Sequence, residues 1–463
     1  MQELDRLTFG TVFYLLSWVV SFVFAYQILR ERRSPTATVA WIAFVFLLPL
    51  LGIAIYLLIG ARKLKRPRRQ RVRPHFSRER ELPFGEASAL DQLLRRLGAA
   101  GATGDNLLVF HLDARAARLA LLELIQSAER EIFVLMYTFA VDVSGRGILK
   151  ALTDAVERGV KVRLMVDDIG STDLRSPSMD AYRRAGGRLV RFKPVWYAII
   201  QRVANLRNHR KIVVADGARA WFGGRNVGDE YLADHAEQSR WADLSVHVEG
   251  SAALALEAIC QADWAFANDI EVPTNACGAE IPRAGSQQVQ ILASGPDQRE
   301  DVWHTAFIKV CFEARERLWI VTPYLVPDDA SFGALATAAR SGVDVRVIVP
   351  ERSDSRLMDV VGASYLRELK GLNVKVFRYR PGMLHAKFVL VDDGISLVGS
   401  ANLDARSFFL NYEVVGVFYD QTANQTLAEY FQKLEARSAV GMKPVRATTE
   451  LLASTLRILA PML

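Results

Sequence analysis

The sequence predicts an α/β protein of two similar halves with mainly parallel or mixed sheets flanked by helices, preceded by two transmembrane helices. Three observations carry that prediction. Two uncharged runs, Phe9 to Leu29 and Val39 to Ile59, stand near the amino terminus. Helical and strand patterns alternate through the remainder. Strings from the first part of that remainder recur in the second.

Each uncharged run spans 21 residues, enough for a helix to cross a hydrocarbon core of about 30 Å. A short basic link with Arg30, Arg32 and Arg33 joins them. Glu3 and Asp5 disfavour a cleaved signal peptide, and Pro49 is tolerable inside a membrane helix. Residues 1–60 are therefore expected to form a membrane hairpin of two helices, about 9–29 and 39–59.

The net charge of +7 invites a nucleic-acid partner, but its distribution argues against one. Residues 61–80 hold ten basic residues, Arg62 to Arg80, against Glu79 alone. That segment carries +9, which leaves −2 for the rest of the chain. The larger basic cluster is expected on the cytoplasmic side, placing the carboxy-terminal region there. Residues 61–105 read as a basic juxtamembrane linker with Pro67, Pro74 and Pro83. The three cysteines, Cys260, Cys277 and Cys311, form no C-x-x-C pair, so neither a disulfide framework nor a cysteine zinc site is expected.

From Ala116 to Arg130 the leucine spacing is helical, and Ile132 to Tyr137 reads as a buried strand. A helix from Ile148 to Arg158 ends at Gly159, and a strand from Val160 to Val166 follows. This βαβ order implies a mainly parallel sheet. Gly159-Val160-Lys161-Val162-Arg163-Leu164-Met165-Val166 then recurs as Gly342-Val343-Asp344-Val345-Arg346-Val347-Ile348-Val349. The offset near 185 residues is too long for a solenoid repeat and marks a duplicated domain. The halves are assigned to 106–270 and 271–440, followed by an amphipathic tail at 441–463.

Each half ends in one constellation. His209, Lys211 and Asp216 are followed by Asn226, and His385, Lys387 and Asp392 by Asn402, at identical spacing. These eight positions are the candidate catalytic set. In a strand, His and Lys two apart share a face. Two facing sets would put two imidazoles, two ammonium groups and two amides around one point. Lys and Asn can stabilise charge on phosphoryl oxygens. One His can attack phosphorus, and the other can move the proton of the alcohol. The lysines supply the positive charge, so no metal or cofactor is expected. Asp216 and Asp392 fall on the opposite strand face and are read as holding the turn. A reactive histidine also needs an acid on its other ring nitrogen. The second motif offers Glu413 and the first offers Asp243.

These residues resemble the phospholipase D superfamily and, within it, the bacterial cardiolipin synthases. The resemblance rests on Asn208-His209-Arg210-Lys211, Gly223-Gly224-Arg225-Asn226, Asp167 to Ser171, Thr322 to Pro327, Gly399 to Asp404 and the Leu459-Ala460-Pro461 tail. It implies two α/β halves about a pseudo-twofold axis with one site between them. It also implies phosphatidyl transfer between two phosphatidylglycerols, giving cardiolipin and glycerol in the bacterial inner membrane. By analogy His209 is the nucleophile and His385 the acid/base. A hydrolase of the same superfamily is the alternative, since both reactions share the intermediate. A nuclease would need basic charge around its site, yet residues 81–463 sum to about −3. Two further segments are expected at the lipid surface: Val195 to Ile200, and the tail from Thr448 to Leu463.

Overall fold

The protein is described by a computed structural model covering residues 2–31, 33, 35–63, 80–83, 88–175, 177–193, 204–234, 240–270, 283–443 and 447–459, with side chains from Leu16 onward. Most of the basic run, the segment Val195 to Ile200 and the last residues of the tail lie outside the described residues.

Two sets of strands build one large sheet. The first half supplies β1 (Thr103–His111), β2 (Glu131–Met136), β3 (Lys161–Asp167), β4 (Arg188–Phe192), β5 (Ile212–Ala215), β6 (Arg219–Gly223) and β7 (Ser245–Glu249). The second supplies β8 (Gln287–Ser294), β9 (Arg317–Val321), β10 (Leu325–Val326), β11 (Asp344–Pro350), β12 (Lys375–Tyr379), β13 (Phe388–Val391), β14 (Ile395–Gly399), β15 (Leu403–Asp404), β16 (Glu413–Phe418) and β17 (Ser438–Val440). The sheet has 15 strands, and β10 and β15 pair separately.

The strand order exposes the duplication. Outward from the centre, one half runs β1-β7-β6-β5-β2-β3-β4 and the other β8-β16-β14-β13-β9-β11-β12. Antiparallel pairing of β1 with β8, Thr103 opposite Val289, joins the halves edge to edge. Of the two expected arrangements, mainly parallel or mixed, the sheet is mixed. Only β2-β3-β4 and β9-β11-β12 pair in parallel; every other neighbour in the sheet is antiparallel. The reason is connection length: β5–β6 and β13–β14 are hairpins, and a tight turn joins only antiparallel strands.

Helices Ala114–Gln126 and Val143–Glu157 cover one face of the first half, and Val302–Glu313 and Asp329–Arg340 take the matching places in the second. Asp113, Asp142 and Asp328 cap three of them by accepting backbone amide bonds. Helix Ser251–Asn268 is buried on nearly every side, so it belongs to the core. A single apolar cluster runs under both halves, from Phe133 and Phe222 to Leu384, Phe388 and Tyr412. The site stands on a floor that neither half makes alone.

The amino-terminal helices depart from expectation. The first is continuous over Gln2–Arg30. The second apolar run is two helices, Pro35–Leu47 and Pro49–Ile59, broken at Leu48 with φ −133° and ψ 71°. Pro49 at the first turn of the new helix cannot continue the old one. Among the described residues no helix is long and apolar enough to cross a membrane. The tail forms a helix over Ala447–Leu459, whose Leu456 packs beside Val361 and Tyr365 while Leu451 is exposed.

Candidate active site

Each histidine sits three residues before a short strand, β5 or β13, and its position is set by the opposite half. The His209 amide donates to the Tyr412 carbonyl at 2.9 Å, and the His385 amide donates to the Ala242 carbonyl at 2.7 Å. Tyr412 precedes Glu413, and Ala242 precedes Asp243. The backbone crossing therefore brings each acid to the other half's imidazole. Nδ1 of His209 lies 3.0 Å from Glu413 Oε1, and Nδ1 of His385 lies 2.6 Å from Asp243 Oδ2. Both expected acids are at the site, but their pairing is exchanged: Glu413 serves the first motif and Asp243 the second.

The two carboxylates are held differently. Glu413 also accepts from Ser400 Oγ at 2.5 Å, Ser407 Oγ at 2.9 Å and Asn411 Nδ2 at 3.3 Å. Asp243 accepts from the Leu244 amide at 2.7 Å. Gly224 occupies the place that Ser400 has in the second half, and a Cβ there would come 2.2 Å from Asp243 Oδ1. The shorter acid and the missing side chain go together.

Lys211 and Lys387 are buried and donate from Nζ to the carbonyls of His209 and His385 respectively. Tyr137 lies edge-on to the His209 ring at 4.9 Å and beneath Lys211 Nζ at 5.3 Å. Tyr231 and Trp241 flank His385, each at 5.3 Å between centroids. Asn226 accepts from the Thr138 amide at 3.1 Å and bonds Tyr231, while the Asn402 carbonyl accepts from Trp303.

Burial sets the protonation states. It lowers His209 to about 4 against the pull of Glu413, and His385 to about 3, where Lys387 adds to burial and Asp243 opposes it. Burial alone would raise both carboxyls, yet the paired histidines and the neighbouring lysines hold Asp243 and Glu413 below the usual range. Burial also lowers Lys387 to about 8, and Lys211 well below its ordinary value. The empty site thus holds neutral imidazoles. Each donates a hydrogen bond from Nδ1–H to a carboxylate and keeps the Nε2 lone pair for the substrate. An arriving anion favours the charged forms of both lysines and of one imidazole.

Asp216 and Asp392 do not reach the site. Asp216 sits beyond β5 at φ 56°, and its carboxylate accepts from the amides of Glu129, Arg130 and Glu131 at 2.7–3.0 Å. Asp392 does the same, at φ 46°, for Arg315, Glu316 and Arg317. These two motif positions fasten the hairpin turn to the start of β2 or β9. Asp216→Ala is expected to lose about 2 kcal/mol of stability by orphaning three amides. Thermal unfolding measures it, and an inactive variant of unchanged stability would return the aspartate to the chemistry.

Several supporting residues were given no role from the sequence. The buried Asp263 accepts from Asn208 Nδ2 at 2.7 Å and from Arg210 at 2.6 Å. Arg210 also reaches the carbonyls of Glu413 and Ser294 in the other half. Asp167 accepts from Arg207 at 2.6–3.0 Å and from the Asn208 amide at 3.1 Å. His209 is thus flanked by anchored arginines on both sides.

Comparison with known proteins agrees with this geometry. The family described as cardiolipin synthase, PLD-like domain, matches residues 121–251 and again 308–435. A phospholipase D-nuclease N-terminal family matches residues 19–60. The chain is 32% identical to cardiolipin synthase 1 of Bacillus cereus, over 90% of this chain and 86% of that one. It is 31% identical to the cardiolipin synthase of Alkalihalophilus pseudofirmus, over 97% and 95% respectively. A phosphatidylserine synthase from Haemophilus influenzae shares the fold, with a TM-score of 0.58 and 17% identity over 77% of this chain and 95% of that one. With the domain present twice and relatives of this identity along nearly its whole length, the chain belongs to the cardiolipin synthase family of the phospholipase D superfamily.

Proposed function

We propose that this membrane-associated phosphatidyltransferase makes cardiolipin from two molecules of phosphatidylglycerol. The observation that carries the reading is the pair of imidazoles, each with Nδ1 on a buried carboxylate and each above a buried lysine. Nε2 of His209 attacks phosphorus, and the P–O bond to glycerol breaks. His385, converted to an imidazolium by the arriving phosphodiester anion, gives that oxygen its Nε2 proton, so glycerol leaves neutral. His385 then takes the proton of a second phosphatidylglycerol hydroxyl. That oxygen attacks the phosphohistidine, the P–N bond breaks, and His209 is restored. Lys211, Lys387, Asn226 and Asn402 stabilise the charge on the phosphoryl oxygens.

The protein is placed in the bacterial cytoplasmic membrane with its catalytic region on the cytoplasmic face. Exposed Leu47, Leu48, Leu50 and Leu51 support contact with lipid. The basic run after Gly60 supports the orientation and adds about 1 kcal/mol per basic residue near an anionic surface. It also draws phosphatidylglycerol, an anion, toward the site.

Purified protein incubated in detergent with phosphatidylglycerol alone tests the reading. Cardiolipin and glycerol in equal amounts are expected, with and without a chelator. Phosphatidic acid as the sole lipid product would assign the protein to hydrolysis. Activity lost to the chelator would overturn the lysine-based chemistry.

A further inference from the structure

We propose that the second apolar run enters and leaves the bilayer on one side, as a helical hairpin seated among the acyl chains of a single leaflet. The inference rests on membrane association, and its test reads topology rather than turnover.

The first argument is where the ends meet. In a two-span hairpin the link after the first helix and the end of the second run lie on opposite membrane faces. Here they touch. Tyr56 Oη donates to Glu31 Oε1 at 2.8 Å. Arg33 bonds Glu31 at 2.9 Å and also the carbonyl of Gly60, which follows the last helix. The Arg33 guanidinium lies over the rings of Trp41 and Tyr56 at 5.8 and 5.7 Å.

The second argument is the packing between the ends. The Trp41 and Tyr56 rings are 5.2 Å apart, so the two short helices run back along each other. Phe46, near the turn, meets Trp18 and Phe22 of the first helix, while Tyr56 meets Phe24. Pro35–Leu47 therefore descends beside the first helix and Pro49–Ile59 climbs back. A helix of 13 residues is about 20 Å long and cannot cross a core of about 30 Å.

The third argument is the turn itself. A Cβ on Gly52 would lie 2.7 Å from the Phe44 carbonyl, so glycine permits the close return. The Leu48 amide still reaches the Phe44 carbonyl at 3.1 Å, and the Gly52 amide reaches Leu48 at 2.6 Å. Pro49 has no amide to satisfy, so the break leaves little polar backbone at the apolar tip. Leu47, Leu48, Leu50 and Leu51 are 48–78% exposed there. Their partner is hydrocarbon.

Charge fits the same arrangement. Arg30 and Arg33 lie on the same face as Arg62 and Lys63, so basic residues that would oppose each other across two spans act together. Arg62 and Lys63 reach Asp301 at 2.9 and 2.7 Å, and Arg62 stacks on Phe409 at 4.2 Å. The catalytic region is thereby fastened directly to that face.

Cysteine labelling in the full-length chain tests the proposal. Cys260 and Cys311 are buried, and Cys277→Ser removes the third. Thr36→Cys and Ala61→Cys are labelled with a membrane-impermeant maleimide in right-side-out and inside-out vesicles. Labelling of both from the same side, with Leu48→Cys protected from either side, is the expected result. Labelling of positions 36 and 61 from opposite sides would overturn the hairpin. Labelling of Leu48→Cys as fast as Ala61→Cys would overturn its insertion. Arg30→Cys and Lys63→Cys provide a second pair, should either first variant fold poorly. None of these outcomes depends on which lipid the enzyme makes.

Discussion

His209→Ala and His385→Ala are each expected to lower cardiolipin formation by at least about 10³-fold, because one removes the atom that bonds phosphorus and the other the proton carrier. The two losses differ in kind. Without the nucleophile, no phosphoryl group is retained by the protein from any substrate. Without the acid, the first step fails only because glycerol must depart as an alkoxide. A phosphatidyl ester of p-nitrophenol, whose leaving group needs no proton, is therefore expected to restore the first step in His385→Ala and not in His209→Ala. Nitrophenol release and phosphorus-labelled protein, denatured in detergent at mildly alkaline pH because a P–N bond is acid-labile, read this step directly. Rescue of His209→Ala instead would exchange the two roles. Near-normal turnover in either variant would end the two-histidine mechanism.

The pairing of each histidine with its lysine was legible in the sequence because it is local. His and Lys two residues apart in extended chain face the same way, and Lys211 and Lys387, just before β5 and β13, both lie beneath their own histidines. Asp216 and Asp392 were legible as turn holders for the same reason, five residues along the strand on its other face. The duplication was legible too, and the strand order repeats it.

What was not legible depends on contacts between distant residues. The choice between a mainly parallel and a mixed sheet stayed open because only the βαβ parts have strong periodic patterns. The hairpins β5–β6 and β13–β14 have no crossover helix to announce them. Asp263 sits within an apolar helix, and its importance comes from Arg210 and Asn208, 53 and 55 residues away. The second apolar run is uninterrupted in hydropathy, so its length pointed to a span. The break depends on Leu48, Pro49 and Gly52 acting together, and hydropathy does not register backbone geometry. Glu413 and Asp243 were recognisable as acids before strands, but nearness in sequence assigns each to its own half. The bridges between Asn208 and Tyr412 and between Ala242 and Leu384 reverse that assignment.

The crossed pairing has its own large expected effect. Glu413→Gln and Asp243→Asn are each expected to lower turnover by about 10³-fold while the protein still folds, since an amide keeps the shape but cannot stabilise an imidazolium or hold one tautomer. Activity alone would not tell crossed acids from uncrossed ones. The histidine titrations do. Glu413 raises the pKa of His209 and Asp243 raises that of His385, each against the lowering effect of burial. Removing a carboxylate therefore lowers the pKa of its partner and leaves the other histidine nearly unmoved. With ring-labelled histidine, Glu413→Gln should shift the His209 resonance and release its Nδ1–H tautomer, while His385 keeps both. Asp243→Asn should do the reverse. Glu413 also gathers Ser400, Ser407 and Asn411, so Ser400→Ala is expected to produce a smaller shift at His209 and none at His385. A Glu413→Gln variant that moved His385 instead would separate the acids from the histidines they touch. The two halves would then be independent sites, and the reason for keeping both motifs in one chain would be lost. If the crossing holds, neither half can position its own histidine, and the duplicated domain works only as a pair.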